Sequence, residues 1–122
     1  MKFNIESIDH VQLAAPVGGE EKAREFYKGL LGFQEIEKAP LLQKNGGVWF
    51  AIGAVHLHIG IEDPFIPARK AHPAIRVRNL ASMKKYLMDQ NVSFQVDNKL
   101  PGANRFYLSD PFGNRIEFLE WL

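Results

Sequence analysis

Residues 107–121, YLSDPFGNRIEFLEW, are the stretch of the chain from which the fold can be worked out. Proline and glycine lie close together in DPFGN and mark a tight turn, so the apolar runs on either side predict a β-hairpin. Because successive strand residues point to opposite faces, Ile116 and Phe118 would face a core and Glu117 the other side. A carboxylate among apolar residues is costly unless a cation or hydrogen-bond donors meet it. The rest of the sequence must therefore supply a partner for Glu117.

The composition is that of a globular chain. Its 122 residues are enough for one domain with a core, and 46% hydrophobic against 24% charged residues argues against disorder. Fifteen basic against fourteen acidic residues, with no Lys/Arg run, argue against nucleic acid or a membrane surface as a partner. The chain has no cysteine, and we see no signal peptide or apolar run of membrane-spanning length. We therefore expect a cytoplasmic protein without disulfides or thiolate metal sites.

The two halves of the sequence repeat one order of elements: strand, helix, strand, strand, strand. For the first half we predict a helix over residues 20–31 and strands over 7–14, 33–38, 48–52 and 55–61. For the second half we predict a helix over 79–90 and strands over 71–77, 92–96, 105–109 and 114–121. The pattern predicts an α+β fold of two βαβββ modules in a single domain, residues 1–122, with module one at 1–62, a connector at 62–70 and module two at 71–122.

Each half carries one histidine in its first predicted strand, and these two, His10 and His72, are 62 positions apart. If a pseudo-twofold axis relates the halves, these strands and that of Glu117 meet near the axis. Two histidines and one carboxylate form the facial triad that binds a divalent ion and leaves positions open. His56 and His58 share one face of strand 55–61, so one of them could be a fourth ligand. We prefer His58, because it lies deeper in the strand.

Four segments together resemble the vicinal oxygen chelate superfamily: IDHVQLA (8–14), EFYKGLLGF (25–33), AHPAIRV (71–77) and DPFGNRIEF (110–118). That superfamily includes glyoxalase I, methylmalonyl-CoA epimerase, extradiol dioxygenases and bleomycin-resistance proteins. The resemblance implies a glyoxalase-like, cup-shaped mixed sheet around one divalent ion, which could be Zn, Ni, Mn, Co or Fe. It places metal positions on His10, His72 and Glu117, and the variable fourth position on His56 or His58.

Five further residues are candidate substrate contacts: Gln12, Trp49, His56, Arg76 and Tyr107. Gln12 and Arg76 share strand faces with the two triad histidines, and they either contact substrate or are solvated at a sheet rim. The two aromatic residues could line a cavity, although aromatic residues in apolar strands belong more often to the core. The polar residues of the turn at 110–114 are interpreted as turn chemistry alone.

The resemblance and the triad together imply a divalent-metal-dependent enzyme of isomerase, epimerase or lyase type. Glu117 would be its catalytic residue and would take or return a proton beside a metal-chelated carbonyl of a small-molecule substrate. One alternative is a metal-free small-molecule or drug-binding protein of the bleomycin-resistance kind. An extradiol-type dioxygenase is a further alternative.

We also expect a homodimer that shares its site between chains. The connector over residues 62–70 contains two prolines, which stiffen it and favour halves that are held apart. In one such arrangement His10 and Glu117 come from one chain and His72 from the other. The competing hypothesis is that both modules pair within one chain.

Overall fold

The predicted repeat is present in the structure. A computed structural model describes residues 1–122 and divides into two compact units, Met1–Phe65 and Ile66–Leu122, with the boundary inside the predicted connector. Each unit contains a helix and a four-stranded mixed sheet, which confirms the α+β class and the two βαβββ modules. No helix has the length and apolar character needed to cross a bilayer.

The first unit contains the strands β1 (Val11–Ala15), β2 (Gln34–Ile36), β3 (Val48–Ile52) and β4 (Val55–Ile61). After β1, helix α1 (Glu20–Ala23) continues directly as a π-helical segment (Arg24–Leu30), and a 3-10 helix (Pro40–Asn45) precedes β3. The sheet order is β1-β4-β3-β2. β1 is parallel to β4, and the other pairs are antiparallel.

The second unit contains β5 (Ala74–Arg76), helix α2 (Leu80–Asp89), β6 (Gln95–Val96), β7 (Ala103–Ser109) and β8 (Arg115–Trp121). Its sheet order is β5-β8-β7-β6, with β5 parallel to β8 and the other pairs antiparallel. The two units therefore have the same topology. The final hairpin, predicted on either side of the turn at residues 110–114, is formed by β7 and β8.

The N-terminus of α2 is held by side chains from the sequence around it and from β8. The side chain of Asn79, the N-cap residue of α2, accepts a hydrogen bond from the N–H of Ser82 at 3.3 Å. The carboxylate of Glu120 accepts from the N–H groups of Leu80 and Asn79, at 3.0 and 2.9 Å. These two backbone bonds lower the pKa of Glu120. β8 is thus tied directly to the start of the helix.

The predicted first strand of each half begins too early. His10 and His72 both precede the strand in which they were predicted to lie. In the second unit the carbonyl of Pro73 accepts from the N–H of Glu117 at 3.0 Å, but proline has no N–H of its own. The hydrogen-bond ladder therefore cannot continue back to His72. β2 and β6 are also shorter than predicted, and the 3-10 helix lies between the predicted strands 33–38 and 48–52.

In the first unit one face of the sheet packs on the helix. Tyr27 of the π-helical segment contacts Phe50 of β3 with ring centroids 5.4 Å apart, and both residues are fully buried. Leu57 of β4 pairs with Phe50 and is buried on the same face. Strand alternation then puts Trp49 and His58 on the opposite face, which we call the open face.

The second unit is built in the same way. Phe106 and Phe118 pair across β7 and β8 with ring centroids 5.4 Å apart, on the side of β8 from which Glu120 reaches the start of α2. Tyr107 and Glu117 pair with each other and point to the open face. In both units the candidate functional residues therefore lie on the face away from the helix.

Candidate functional site

Three aromatic rings stack on the open face of the first sheet. His58 of β4 lies in register between Gln12 of β1 and Trp49 of β3. Its ring centroid is 4.1 Å from that of Trp49 and 4.2 Å from that of His10, with interplanar angles of 6° and 16°. Trp49 is therefore part of this stack on the open face and not of the core beneath the helix.

His10 is oriented by its neighbour in the sequence. Its Nδ1 donates to the carboxylate of Asp9 at 2.9 Å, and this hydrogen bond lowers the pKa of Asp9. A histidine held in this way through one ring nitrogen presents the other to a ligand, which is the usual arrangement of metal-binding histidines. The sequence pattern predicted no role for Asp9. The adjacent Asp-His pair was the signal that could have found it.

His58 is suited to be a neutral ligand. Burial lowers the pKa of His58, and the nearby His10 and His56 rings lower it further. A neutral imidazole keeps the lone pair that a metal ion or a hydrogen-bond donor requires. His56, by contrast, is exposed and makes no hydrogen bond in the chain. His58 is thus the more buried of the two histidines on this strand face, and its role as a ligand stays a prediction.

The two units place different side chains at one equivalent position. His10 lies two residues before the β1 partner of His58, and His72 lies two residues before the β5 partner of Glu117. His58 and Glu117 are therefore counterparts in the repeat. One unit offers an imidazole where the other offers a carboxylate.

Glu117 has two polar partners on the open face of the second sheet. Its Oε1 lies 3.0 Å from Nε2 of His72, and its Oε2 lies 3.5 Å from Nη1 of Arg105. The Glu117 side chain is only 7% exposed. The carboxylate of Glu117 needed a cation or hydrogen-bond donors, and a histidine and an arginine are the groups that meet it. Arg105 was missed, although pairing Tyr107 opposite Glu117 in the hairpin would have put Arg105 on the same face.

Both ring nitrogens of His72 face oxygen atoms. Nδ1 lies 2.8 Å from the carbonyl oxygen of Lys70, and because a carbonyl only accepts, Nδ1 donates. The contact between Nε2 and Glu117 then needs one more proton, carried either by the imidazole or by the carboxylate. A divalent ion bound by these two groups would take the place of that proton. The chemistry of this pair therefore fits a metal ligand set.

Tyr107 lies between charged groups. The guanidinium carbon of Arg115 is 3.8 Å from its ring centroid, and that of Arg105 is 5.6 Å away. The ring of His72 meets it edge-on at 5.3 Å. Arg105 also lies 3.4 Å from Asp97, and its Nε is buried without a hydrogen-bond partner. Tyr107 is buried, but on the open face and within this polar cluster.

The remaining predicted substrate-contact residues line two different recesses. Gln12 and Trp49 line a cavity of about 430 Å³ in the first unit, together with Lys38 and Asn45. Arg76 lines a recess of about 350 Å³ in the second unit, together with Glu120, and Glu117 does not line it. The structure thus groups Gln12 with Trp49 and separates Arg76 from the carboxylate.

The four predicted metal ligands form two pairs: His10 with His58 in the first unit, and His72 with Glu117 in the second. No group of three or more His, Asp and Glu side chains is gathered in the chain in a way that could hold a metal ion. The second pair corrects one prediction. His72 and Glu117 lie together in one unit, so a site shared between chains would take both from the same chain.

Comparison with known proteins agrees with this architecture. Residues 7–118 match the sequence profile of the Glyoxalase/Bleomycin resistance protein/Dioxygenase superfamily. A protein assigned to the glyoxalase family from Bacillus anthracis is 49% identical over the whole of both chains, with a TM-score of 0.96.

Two more distant structures share the fold. The fosfomycin resistance protein FosX from Listeria monocytogenes is 15% identical over 98% of this chain and 96% of its own, with a TM-score of 0.75. Lactoylglutathione lyase from Agrobacterium tumefaciens is 19% identical over 90% of this chain and 91% of its own, with a TM-score of 0.67. Comparison with curated protein sequences gave no match. The superfamily match covers most of the chain and agrees with the repeated βαβββ topology. The chain therefore belongs to the glyoxalase/bleomycin resistance protein/dioxygenase superfamily.

Proposed function

We propose that this protein is a divalent-metal-dependent enzyme of isomerase, epimerase or lyase type. Its substrate is a small molecule with a carbonyl and a neighbouring oxygen, and Glu117 moves a proton on the adjacent carbon. His10, His72 and Glu117 are the proposed metal ligands, with His58 as the fourth. The observation that carries the proposal is the partly buried contact between His72 and Glu117, which brings an imidazole nitrogen within 3.0 Å of a carboxylate oxygen.

The residues around Glu117 give its two oxygen atoms different partners and therefore different roles. When bound, a divalent ion polarises a substrate carbonyl and favours negative charge on its oxygen. Arg105 holds Oε2, and the carbonyl of Lys70 fixes the ring of His72 through Nδ1. Glu117 can then accept a proton from the carbon beside the carbonyl and return it to the same or a neighbouring atom. Its low exposure keeps water away and strengthens its electrostatic contacts.

The set of ligand atoms restricts which metal ions are suitable but does not identify a single one. Imidazole nitrogens with one carboxylate oxygen suit zinc, iron, nickel, cobalt and manganese, and they disfavour calcium and magnesium, which prefer oxygen ligands. Metal analysis of the purified protein, followed by reloading with each ion, identifies the active one.

Replacing Glu117 by Gln tests the proposal. The variant keeps the shape of the side chain but removes its charge and its basicity, so we expect weakened metal binding and turnover reduced by about 10²–10⁴-fold, with little change in fold. Bound metal is measured by elemental analysis. Turnover is measured on 2-oxoaldehyde hemithioacetals, acyl-CoA epimers and catechols, with and without oxygen.

Glu120→Gln is the matched control. This residue lies on the same strand but on the helix side, so its loss affects α2 and leaves metal content and turnover as they were. Full metal occupancy and full activity in Glu117→Gln contradict the assignment.

A second candidate function is metal-free binding of a small molecule, as in bleomycin-resistance proteins. It is favoured by the cavity beside Trp49, which requires no ion. Stoichiometric metal that is lost in His10→Ala and His72→Ala supports the enzyme. A metal-free protein that binds planar aromatic molecules supports sequestration, and oxygen-dependent catechol cleavage supports a dioxygenase.

Two further properties belong to this proposal. We infer a homodimer in which one chain supplies the His10 and His58 pair and the other supplies His72 and Glu117. We also infer a cytoplasmic location, for which the absence of cysteine is the support. Subunit mixing, described below, tests the first inference, and cell fractionation tests the second.

A further inference from the structure

The cavity of the first unit adjoins the ring stack. Its volume of about 430 Å³ lies within the range of small-molecule sites, about 300–1,000 Å³. Trp49 lines it and also stacks on His58, so a ligand in the cavity adjoins one proposed metal ligand. Leu42, Ile59 and Ile61 give it apolar lining. The cavity can therefore hold the body of a small organic molecule.

Lys38 is the only cationic residue that lines this cavity. It is half-buried, its Nζ donates to the carbonyl of Gly46, and it forms no ion pair. The nearby carboxylate of Glu20 accepts from the N–H of Gly47 at 3.0 Å; the charge of Lys38 also lowers the pKa of Glu20, but the two side chains form no ion pair. An ammonium group has three N–H donors, so Lys38 keeps two for a ligand.

Gln12 brings a second unused donor to the same cavity. A Cβ added to Gly60 would lie 2.6 Å from Nε2 of Gln12, so the glycine makes the room in which this amide lies. The Gln12 side chain makes no hydrogen bond within the chain. Both residues line the cavity, which therefore combines one positive charge, one free amide and an aromatic ring.

We propose that Lys38 and Gln12 bind a carboxylate of the substrate in this cavity, with the planar or unsaturated body of the molecule against Trp49. A carboxylate has two oxygen atoms, one for the ammonium and one for the amide. A single cation matches one negative charge better than a phosphate monoester, which carries about −1.5 to −2. The inference rests on the proposed function and names its substrate class, a small planar monoanion.

The test compares phenylacetate with phenylacetamide, which has nearly the same shape but no charge. Binding to the full chain in the presence of EDTA is followed by NMR through the indole N–H of Trp49. This signal is distinguished from that of Trp121, the only other tryptophan, with Trp121→Phe. We expect phenylacetate to bind about tenfold more tightly than phenylacetamide, and Lys38→Met to remove this preference, as the loss of a charge-assisted hydrogen bond predicts.

Three variants control the result. Lys44→Met removes an exposed charge of the same loop that does not line the cavity, so its binding should equal that of the wild type. Lys38→Arg keeps the cation and should keep the preference for the carboxylate. Because Lys38 also holds the loop, Gln12→Leu provides a second test at an exposed side chain, and it should lower phenylacetate affinity several-fold.

Equal binding of the two probes to the wild type overturns the inference. So does an unchanged preference in Lys38→Met or, should that variant not fold, an unchanged phenylacetate affinity in Gln12→Leu. Because EDTA removes any metal, these outcomes are independent of the metal site. A retained carboxylate preference in a protein without metal-dependent turnover contradicts the proposed function alone.

Discussion

Glu117 is a nearly buried carboxylate whose two oxygen atoms have different kinds of partner. Oε2 faces Arg105, which is always charged, whereas Oε1 faces His72, whose ring can lose a proton. Binding of an ion at His72 would change only the second contact. The arginine then keeps the carboxylate in place while the other oxygen changes its partner.

The lowered pKa of His58 leads to a prediction about how the stability of the chain depends on pH. Burial lowers the pKa of His58 in the folded chain below its ordinary value of 6.5, so the unfolded chain binds the proton more readily. The contribution of neutral His58 to stability is therefore complete above about pH 6.5 and decreases as the pH falls from there towards the folded value. We expect the wild type to lose more unfolding free energy than His58→Gln between about pH 7.5 and pH 5.5.

Urea unfolding of both proteins at each pH measures this difference. Between about pH 7.5 and pH 8.5, above the titration range, the two curves should run parallel, which serves as the internal control. Equal losses of stability below about pH 6.5 would show that His58 titrates in the folded chain as it does in the unfolded one.

The sequence could identify the candidate ligands but not what surrounds them. His10, His72 and Glu117 stand out because their residue types and spacing suggest a metal site. Arg105 and Arg115 come close to Tyr107 only through the register of the final hairpin. That register depends on how the turn at residues 110–114 closes, and composition does not determine the closure.

At the scale of elements, the bounds of a strand were predicted well where the sequence at both of its ends contains a local turn or loop signal. The predicted strands 48–52 and 55–61 agree with β3 and β4, because Gly53, with a φ of 54°, turns the chain between them. β1 and β5 begin later than predicted, because a strand ends where its partner no longer pairs with it. That limit depends on β4 and β8, which are distant in sequence.

Gly47 is the glycine on which the loop before β3 depends. Its φ is +87°, and a Cβ at this position would lie 2.3 Å from the backbone oxygen of Ile59. Gly18 has a φ of +82° but nothing within 4 Å of such a Cβ. Gly18→Ala should therefore cost about 1–3 kcal/mol for the backbone conformation alone. Gly47→Ala should cost about 1–3 kcal/mol more, because backbone must move as well.

Urea unfolding free energies of the two variants measure the difference directly. The same loop contributes Asn45 and Gly46 to the cavity, so Gly47→Ala should also weaken phenylacetate binding, whereas Gly18→Ala should not. Equal losses of stability in Gly18→Ala and Gly47→Ala would mean that the loop before β3 accommodates the added methyl group without a steric cost.

At the scale of the whole molecule, each unit contributes one pair of proposed ligands, and subunit mixing tests whether two chains share a site. His10→Ala and His72→Ala chains are each expected to bind metal poorly. In the shared-site hypothesis a mixed dimer regains one intact site, because one chain keeps the first pair and the other keeps the second. Metal binding and turnover should therefore partly return after subunit exchange.

The matched control is a mixture of His72→Ala with Glu117→Gln. Both changes affect the same pair, so neither hypothesis allows rescue, and any recovery there would point to an artefact of mixing. No recovery in the first mixture after verified exchange favours a site built within one chain.

The hydrogen bonds of Glu120 link the start of α2 to the strand that carries Glu117. Asn79 and Leu80 can exchange their amide hydrogens with solvent deuterium only when this carboxylate releases them. Such a release opens the link between the helix start and β8. The exchange rates of these two amides therefore report how often the link between the start of α2 and β8 opens, in a protein that carries no label.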